Sequence, residues 1–208
     1  FEKVANETDA LILDVRHQSV FIKGFIPRSI FIGVDGGFAP WVGALIKDIE
    51  QPILLVAPKG REEEVIIRLS RVGFDNTLGY LDGSFESWKH AGKEIDTLRS
   101  VSAEVLAIEM KAHKVPVFDI RKPGEYANEH LVDVPSAPLD YLNSHLKDFP
   151  ADEDFYLHCA GGYRSVITSS ILKARGIHNV IDVAGGYGAI KHTDIPRTTV
   201  TPCPSTLK

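Results

Sequence analysis

Short apolar runs alternate with longer amphipathic stretches along the whole 208-residue chain. Val115 to Ile120 and Phe155 to His158 are brief continuous runs, the pattern of strands buried on both faces of a parallel sheet. After Ser165 the period changes. From there to Arg175, Val166, Ile167, Ser170, Ile171 and Ala174 share one helical face, and Gly176 supplies a stop. Val180 to Val183 predicts the next strand, and Gly185-Gly186 the turn that follows it. The first half has the same order: Ile53 to Val56, a loop, a helix from Glu62 to Arg71, Gly73, and a strand from Thr77 to Leu81. Strand–helix alternation of this kind predicts an α/β fold built on mainly parallel sheets flanked by helices.

The two halves are copies of one unit. Leu11-Ile12-Leu13-Asp14-Val15-Arg16 returns as Pro116-Val117-Phe118-Asp119-Ile120-Arg121, and Val72-Gly73-Phe74-Asp75-Asn76 as Arg175-Gly176-Ile177-His178-Asn179. Gly83-Ser84-Phe85 with Trp88-Lys89-His90 returns as Gly185-Gly186-Tyr187 with Ile190-Lys191-His192, each echo about 103 residues on. That period is too long for a solenoid and matches a small domain. Two domains are therefore expected, residues 1–98 and 102–208, with the seam near Asp96 to Ser102.

Composition narrows the function classes. With 44% hydrophobic and 25% charged residues, wholesale disorder is excluded. No apolar run approaches the roughly 18 residues of a membrane span, so no membrane role is expected. A net charge of −5 gives no basic footprint for nucleic acid. Two cysteines, Cys159 and Cys203, are too few for a secreted disulfide framework, and a reducing compartment, the cytoplasm, is expected. The start lacks a signal-peptide pattern and an initiating Met, so the chain is expected to begin inside a longer or processed product.

The candidate chemistry sits in Cys159-Ala160-Gly161-Gly162-Tyr163-Arg164. A thiol between a strand end and a helix start faces the positive helix end and its unpaired N–H groups. Two glycines let the backbone curl into an anion-binding nest, and such surroundings favour the thiolate. Arg164 adds a planar cation able to hold an anionic substrate. A lone cysteine at a strand end is commonly just a small buried hydrophobe. Here the Gly-Gly pair, the helix and the arginine together favour a nucleophile. No second Cys or paired His lies at metal-ligand spacing, so neither a metal nor another cofactor is expected.

His158-Cys159-Ala160-Gly161-Gly162-Tyr163-Arg164-Ser165 resembles the active-site loop of the rhodanese family of sulfurtransferases. Asp119-Ile120-Arg121, Glu125-Tyr126 and Gly185-Gly186-Tyr187 in the second half are similar to that family's landmarks. So are Asp14-Val15-Arg16, Gly24-Phe25-Ile26-Pro27 and Gly83-Ser84-Phe85-Glu86-Ser87-Trp88 in the first. The resemblance implies two rhodanese-like domains and a ping-pong reaction. Cys159 would take a sulfane sulfur from a small donor such as thiosulfate or glutathione persulfide, then pass it to a thiol or cyanide. Related phosphatases and arsenate reductases carry one more loop residue, so the six-residue loop favours sulfur over a tetrahedral oxyanion. Tandem units of this sort also resemble the C-terminal part of fusions with a metallo-β-lactamase-like persulfide dioxygenase. That resemblance implies an N-terminal catalytic domain outside this chain and a sulfur-relay role as the alternative function.

The first copy departs where it matters. Ala57 stands in the nucleophile position, Pro58 removes an N–H, and Glu62, Glu63 and Glu64 fill the first helical turn. Residues 1–98 are expected to be catalytically silent, contributing an interface or one wall of the site. Asp119 and Arg121 recur as Asp14 and Arg16 where there is no nucleophile, so structural support is their expected role. His158 is expected to be a hydrogen-bonded core histidine, His130 to lie off the substrate, and Tyr163 to gate access or pack outward. Cys203, between Pro202 and Pro204, is expected to be a bystander rather than a resolving thiol.

Overall fold

The structure, a computed structural model, describes residues 1–198. Cys203 lies outside the described residues. The first sheet comprises β1 (Leu11–Asp14), β2 (Ile30–Phe31), β3 (Ile53–Val56) and β4 (Thr77–Tyr80), in the order β2-β1-β3-β4. The second comprises β5 (Arg99–Val101), β6 (Val117–Asp119), β7 (Phe155–His158) and β8 (Val180–Val183), in the order β5-β8-β7-β6. Every pairing is parallel. Two α/β domains with parallel sheets flanked by helices are thus present.

The apolar runs mark the central strands because burial on both faces leaves no room for alternation. Two elements escaped the pattern. β2 is only two residues long, and β5 lies in the expected seam, where it pairs with β8 as an edge of the second sheet. Just before it, Asp96 pairs back with Phe25 of the first domain. The Gly185-Gly186 turn opens directly into a short helix, Gly186–Ile190, with Gly185 left-handed before it.

The helix Tyr163–Ala174 starts two residues before its expected beginning, and Ser165 to Leu172 are buried on all sides rather than along one stripe. The reason is its position between the two domains. Its outer face packs on the first domain's edge strand, where the Phe31 N–H donates to Ser170 Oγ at 2.9 Å. An exposed edge N–H is thereby satisfied by the other domain. Lys173 reaches Asp96 at 3.0 Å, and one continuous apolar core runs from Leu13 and Phe31 through Leu157 to Ile171.

Candidate active site

Cys159 follows β7 directly, at the carboxyl end of a parallel sheet, where ligands of such sheets bind. Its side chain is 1% exposed. Gly162 takes φ +93°, which turns its N–H toward the sulfur, and that N–H donates to Sγ at 3.1 Å. The carbonyls of the loop are occupied from the other side. Tyr187 N–H donates to Cys159 O at 2.6 Å and Gly188 N–H to Ala160 O at 2.9 Å. With those acceptors tied to the neighbouring segment, the loop turns the Gly162 N–H rather than an oxygen toward the sulfur, at the start of a helix whose first turn has N–H groups lacking intrahelical partners. Gly161 is exposed at the mouth, while Ala160 and Tyr163 are half-buried.

Gly186 makes this closure fit. A Cβ there would lie 2.3 Å from Cys159 O and 2.9 Å from its carbonyl carbon. In the first copy Ser84 occupies the same place with a similar φ of 58°, and its Oγ donates to Ala57 O at 2.6 Å.

Arg164 crosses to Glu125 in a two-pronged pair at 2.6 and 2.9 Å. The guanidinium holds the Glu125 carboxyl down at about 2. Glu125 first, and then the field of Cys159, hold Arg164 above its ordinary value. The cation at the rim is therefore already matched by one carboxylate while still felt by the sulfur. Asp119 and Arg121 form a buried pair, with Nη2 to Oδ2 at 2.6 Å and a further bond from Nη2 to Glu129 O at 2.7 Å. The guanidinium lies 3.9 Å from the Tyr187 ring. Asp14 and Arg16 repeat every part of this, with Gly24 O and Phe85 in the corresponding places.

His158 is buried as expected, but it is not hydrogen-bonded: neither ring nitrogen has a partner. Burial lowers its pKa despite the opposing pull of Asp119. Its ring lies 6.2 Å from that of Tyr187, on the sheet face away from the sulfur. His130 stacks on Tyr126 at 3.8 Å, and its Nδ1 lies 2.7 Å from Tyr126 O.

Tyr163 packs neither outward nor as a gate. Its ring enters a gap in the first domain made by Gly33 and Gly36, and its hydroxyl donates to Gly33 O at 2.7 Å. The loop is thus pinned to the first domain. Tyr163→Phe, which leaves that carbonyl only the Gly36 N–H as donor, should cost about 1 kcal/mol of stability. Tyr163→Ala, which also empties the gap, should cost about 3 kcal/mol. Denaturant unfolding would check both, and wild-type stability in Tyr163→Ala would refute the pin.

Two residues at the site were not singled out from sequence. Ser165 Oγ lies 3.7 Å from Cys159 Sγ. Asp182 on β8 is 2% exposed and accepts from Ser100 Oγ at 2.9 Å. Burial raises its pKa to about 6, against the lowering effect of the Ser165 and Ser100 hydroxyls. A carboxylate interrupting an apolar strand was the available signal, since its first-copy counterpart is Tyr80. Among the described residues no group of three or more His, Cys, Asp and Glu side chains is arranged for a metal, and no helix is long and apolar enough to cross a membrane.

A profile of the rhodanese-like domain matches the chain twice, over residues 1–91 and 102–193. The chain belongs to the rhodanese-like family. It is 26% identical over 74 residues to the uncharacterised protein YqhL of Bacillus subtilis (strain 168), a match covering 36% of this chain and 59% of that one. The match thus spans about three-fifths of that curated relative's length. Among solved structures, a rhodanese-like domain protein from Staphylococcus aureus is 27% identical, with a TM-score of 0.45, over 49% of this chain and 100% of its own. A thiosulfate sulfurtransferase from Pseudomonas aeruginosa is 20% identical, with a TM-score of 0.43, over 92% of this chain and 40% of its own. Within the rhodanese-like pair, the second domain holds the cysteine and the first holds Ala57 in its place.

Proposed function

We propose that the protein is a sulfurtransferase in which Cys159 carries sulfane sulfur as a persulfide. The observation that supports this most is the Gly162 N–H donating to Sγ at the head of a helix. A sulfur anion placed there meets donors fixed before any substrate arrives. The Cys159 thiolate attacks the outer sulfur of a donor such as thiosulfate or glutathione persulfide. A new S–S bond forms, and sulfite or the donor thiolate leaves with the bonding pair. An acceptor, cyanide or a thiolate, then attacks the outer sulfur of the persulfide. The S–S bond breaks and its pair returns to Cys159 Sγ as thiolate.

In this reading Ala160, Gly161, Gly162 and Tyr163 contribute backbone around the sulfur, and Arg164 steadies anionic donors from the rim. The Asp119–Arg121 pair braces β6 against the segment that carries Tyr187. The same chemistry suits a sulfur-handling part of a larger persulfide-metabolising protein, in a reducing compartment such as the cytoplasm where thiols persist. The six-residue loop, closed by Gly186, favours a single sulfur over phosphate or arsenate. Incubation with thiosulfate and cyanide should yield thiocyanate, and with glutathione persulfide and a thiol should yield a new persulfide. Aryl-phosphate hydrolysis with neither sulfur product would overturn the proposal.

A further inference from the structure

One ion pair divides the two copies as the cysteine does. The Asp119–Arg121 brace has its counterpart in Asp14–Arg16, where no nucleophile stands. The Arg164–Glu125 pair has none. In the register that matches Asp14 to Asp119, Gly24 to Glu129 and Ala57 to Cys159, the first copy holds Val20 and Glu62 in their places. A pair that the domain needs in order to fold would be expected in both copies, and this one occurs only beside Cys159.

β6 and β7 are neighbours, with Asp119 opposite His158, so the segments that follow them share the carboxyl end of the sheet. One segment carries Cys159 and then Arg164, in the first turn of its helix; the other carries Glu125, in the helix Pro123–Asn128. The guanidinium joins the two, with Nη1 to Oε2 at 2.6 Å and Nη2 to Oε1 at 2.9 Å. The fork that would grip an oxyanion is therefore already filled by a carboxylate. Glu125 is itself held in place, since its Oε2 also accepts the Lys122 N–H at 3.1 Å. Arg164 is the only cation in the loop. Close by, Arg121 is closed on Asp119 and Arg197 on Glu129, while Lys122 is exposed, where salt screens its charge. An incoming anion thus finds the loop's cation already neutralised.

We propose that Glu125 is a specificity-determining residue: by occupying the Arg164 fork it disfavours donors charged next to the transferred sulfur and favours organic persulfides. The inference rests on the reading of Cys159 as a sulfur carrier. In thiosulfate the negative charge sits on the group bonded directly to that sulfur, so the donor must displace Glu125 to engage Arg164. In an organic persulfide the neighbouring group is an uncharged S–C unit, and nothing has to be displaced. Glutathione persulfide belongs to this second class, because its carboxylates lie several bonds from the sulfur. Specificity here comes from a contact that penalises one donor rather than from one that rewards the other.

The test compares alkylation of Cys159 by iodoacetate, an anion, with that by iodoacetamide, its neutral analogue. Both are read on the Cys159 peptide of the full chain at about pH 7. The ratio of the two rates cancels thiol ionisation and reports the charge met on the way to the sulfur. Glu125→Gln keeps an oxygen for the Lys122 N–H but removes the charge. It should raise the ratio about fivefold, the effect of one unbalanced charge near a protein surface. Arg164→Gln should lower the ratio by a similar factor, and the double variant should return it to the wild-type value. An unchanged ratio in Glu125→Gln, including equal rises with both reagents, would overturn the proposal. If Glu125→Gln does not fold, the double variant set against Arg164→Gln reads the same charge, and equal ratios there would refute it. With sulfur donors, KM for thiosulfate should fall in Glu125→Gln more than KM for glutathione persulfide, and parallel falls would count as refutation. The alkylation ratio does not depend on sulfur transfer, so failure of the sulfurtransferase reading leaves it in place. Thiocyanate production with an unmoved ratio would sink the role of Glu125 alone.

Discussion

Cys159→Ser should lose sulfur transfer by at least about a thousandfold, because a hydroxyl at neutral pH is un-ionised and cannot hold a sulfane sulfur. The serine Oγ would still meet the Gly162 N–H now bound to sulfur, so the fold should survive. Unchanged circular dichroism with absent thiocyanate production is the expected pair of results. Cys203→Ser, by contrast, should keep full activity, and together the two variants assign the chemistry to one thiol. Full turnover in Cys159→Ser would end the proposal.

Gly186→Ala is expected to have the second-largest effect. The new methyl would sit 2.3 Å from Cys159 O, so the Cys159 loop or the Gly186–Ile190 helix must move. A shift of about 1 Å at the reacting group costs about a hundredfold in rate. Overpacking and the left-handed backbone should together remove about 2–4 kcal/mol of stability. The first copy isolates the cause. Ser84 holds nearly the same φ of 58° with a side chain, so the backbone conformation alone does not demand glycine. The close approach to the cysteine loop does. Ser84→Ala should lose only its bond to Ala57 O, about 1 kcal/mol, and leave activity intact. Thiocyanate assays with denaturant unfolding of both variants would check this. Near wild-type turnover in Gly186→Ala would mean the loop does not need that closure.

The fold was legible because its central strands are short apolar runs and because the chain states its pattern twice. β3, β7 and β8 lie where those runs predict. What was hidden came from contacts between the copies. Ser165, Thr168 and Ser169 fall off the apolar face that the spacing predicts, yet all are buried, since the helix lies between the two domains. Tyr163 follows a flexible glycine pair and reads as a rim residue. It turns inward because Gly33 and Gly36, some 130 positions earlier, leave a ring-sized gap. At the site, Cys159 and its glycines were readable because local loop geometry decides their surroundings. Arg164 was readable as a cation but not as a partner of Glu125, which lies 39 positions away. The absence of hydrogen bonds at His158 likewise depends on neighbours that periodicity does not specify.

The most direct test of Cys159 as a sulfur carrier is mass spectrometry of the peptide that contains it, after exposure to a sulfane donor without an acceptor. Cys159 should gain one sulfur atom, removed again when cyanide is added. A donor-treated protein that turns over while Cys159 stays an unmodified thiol would contradict it.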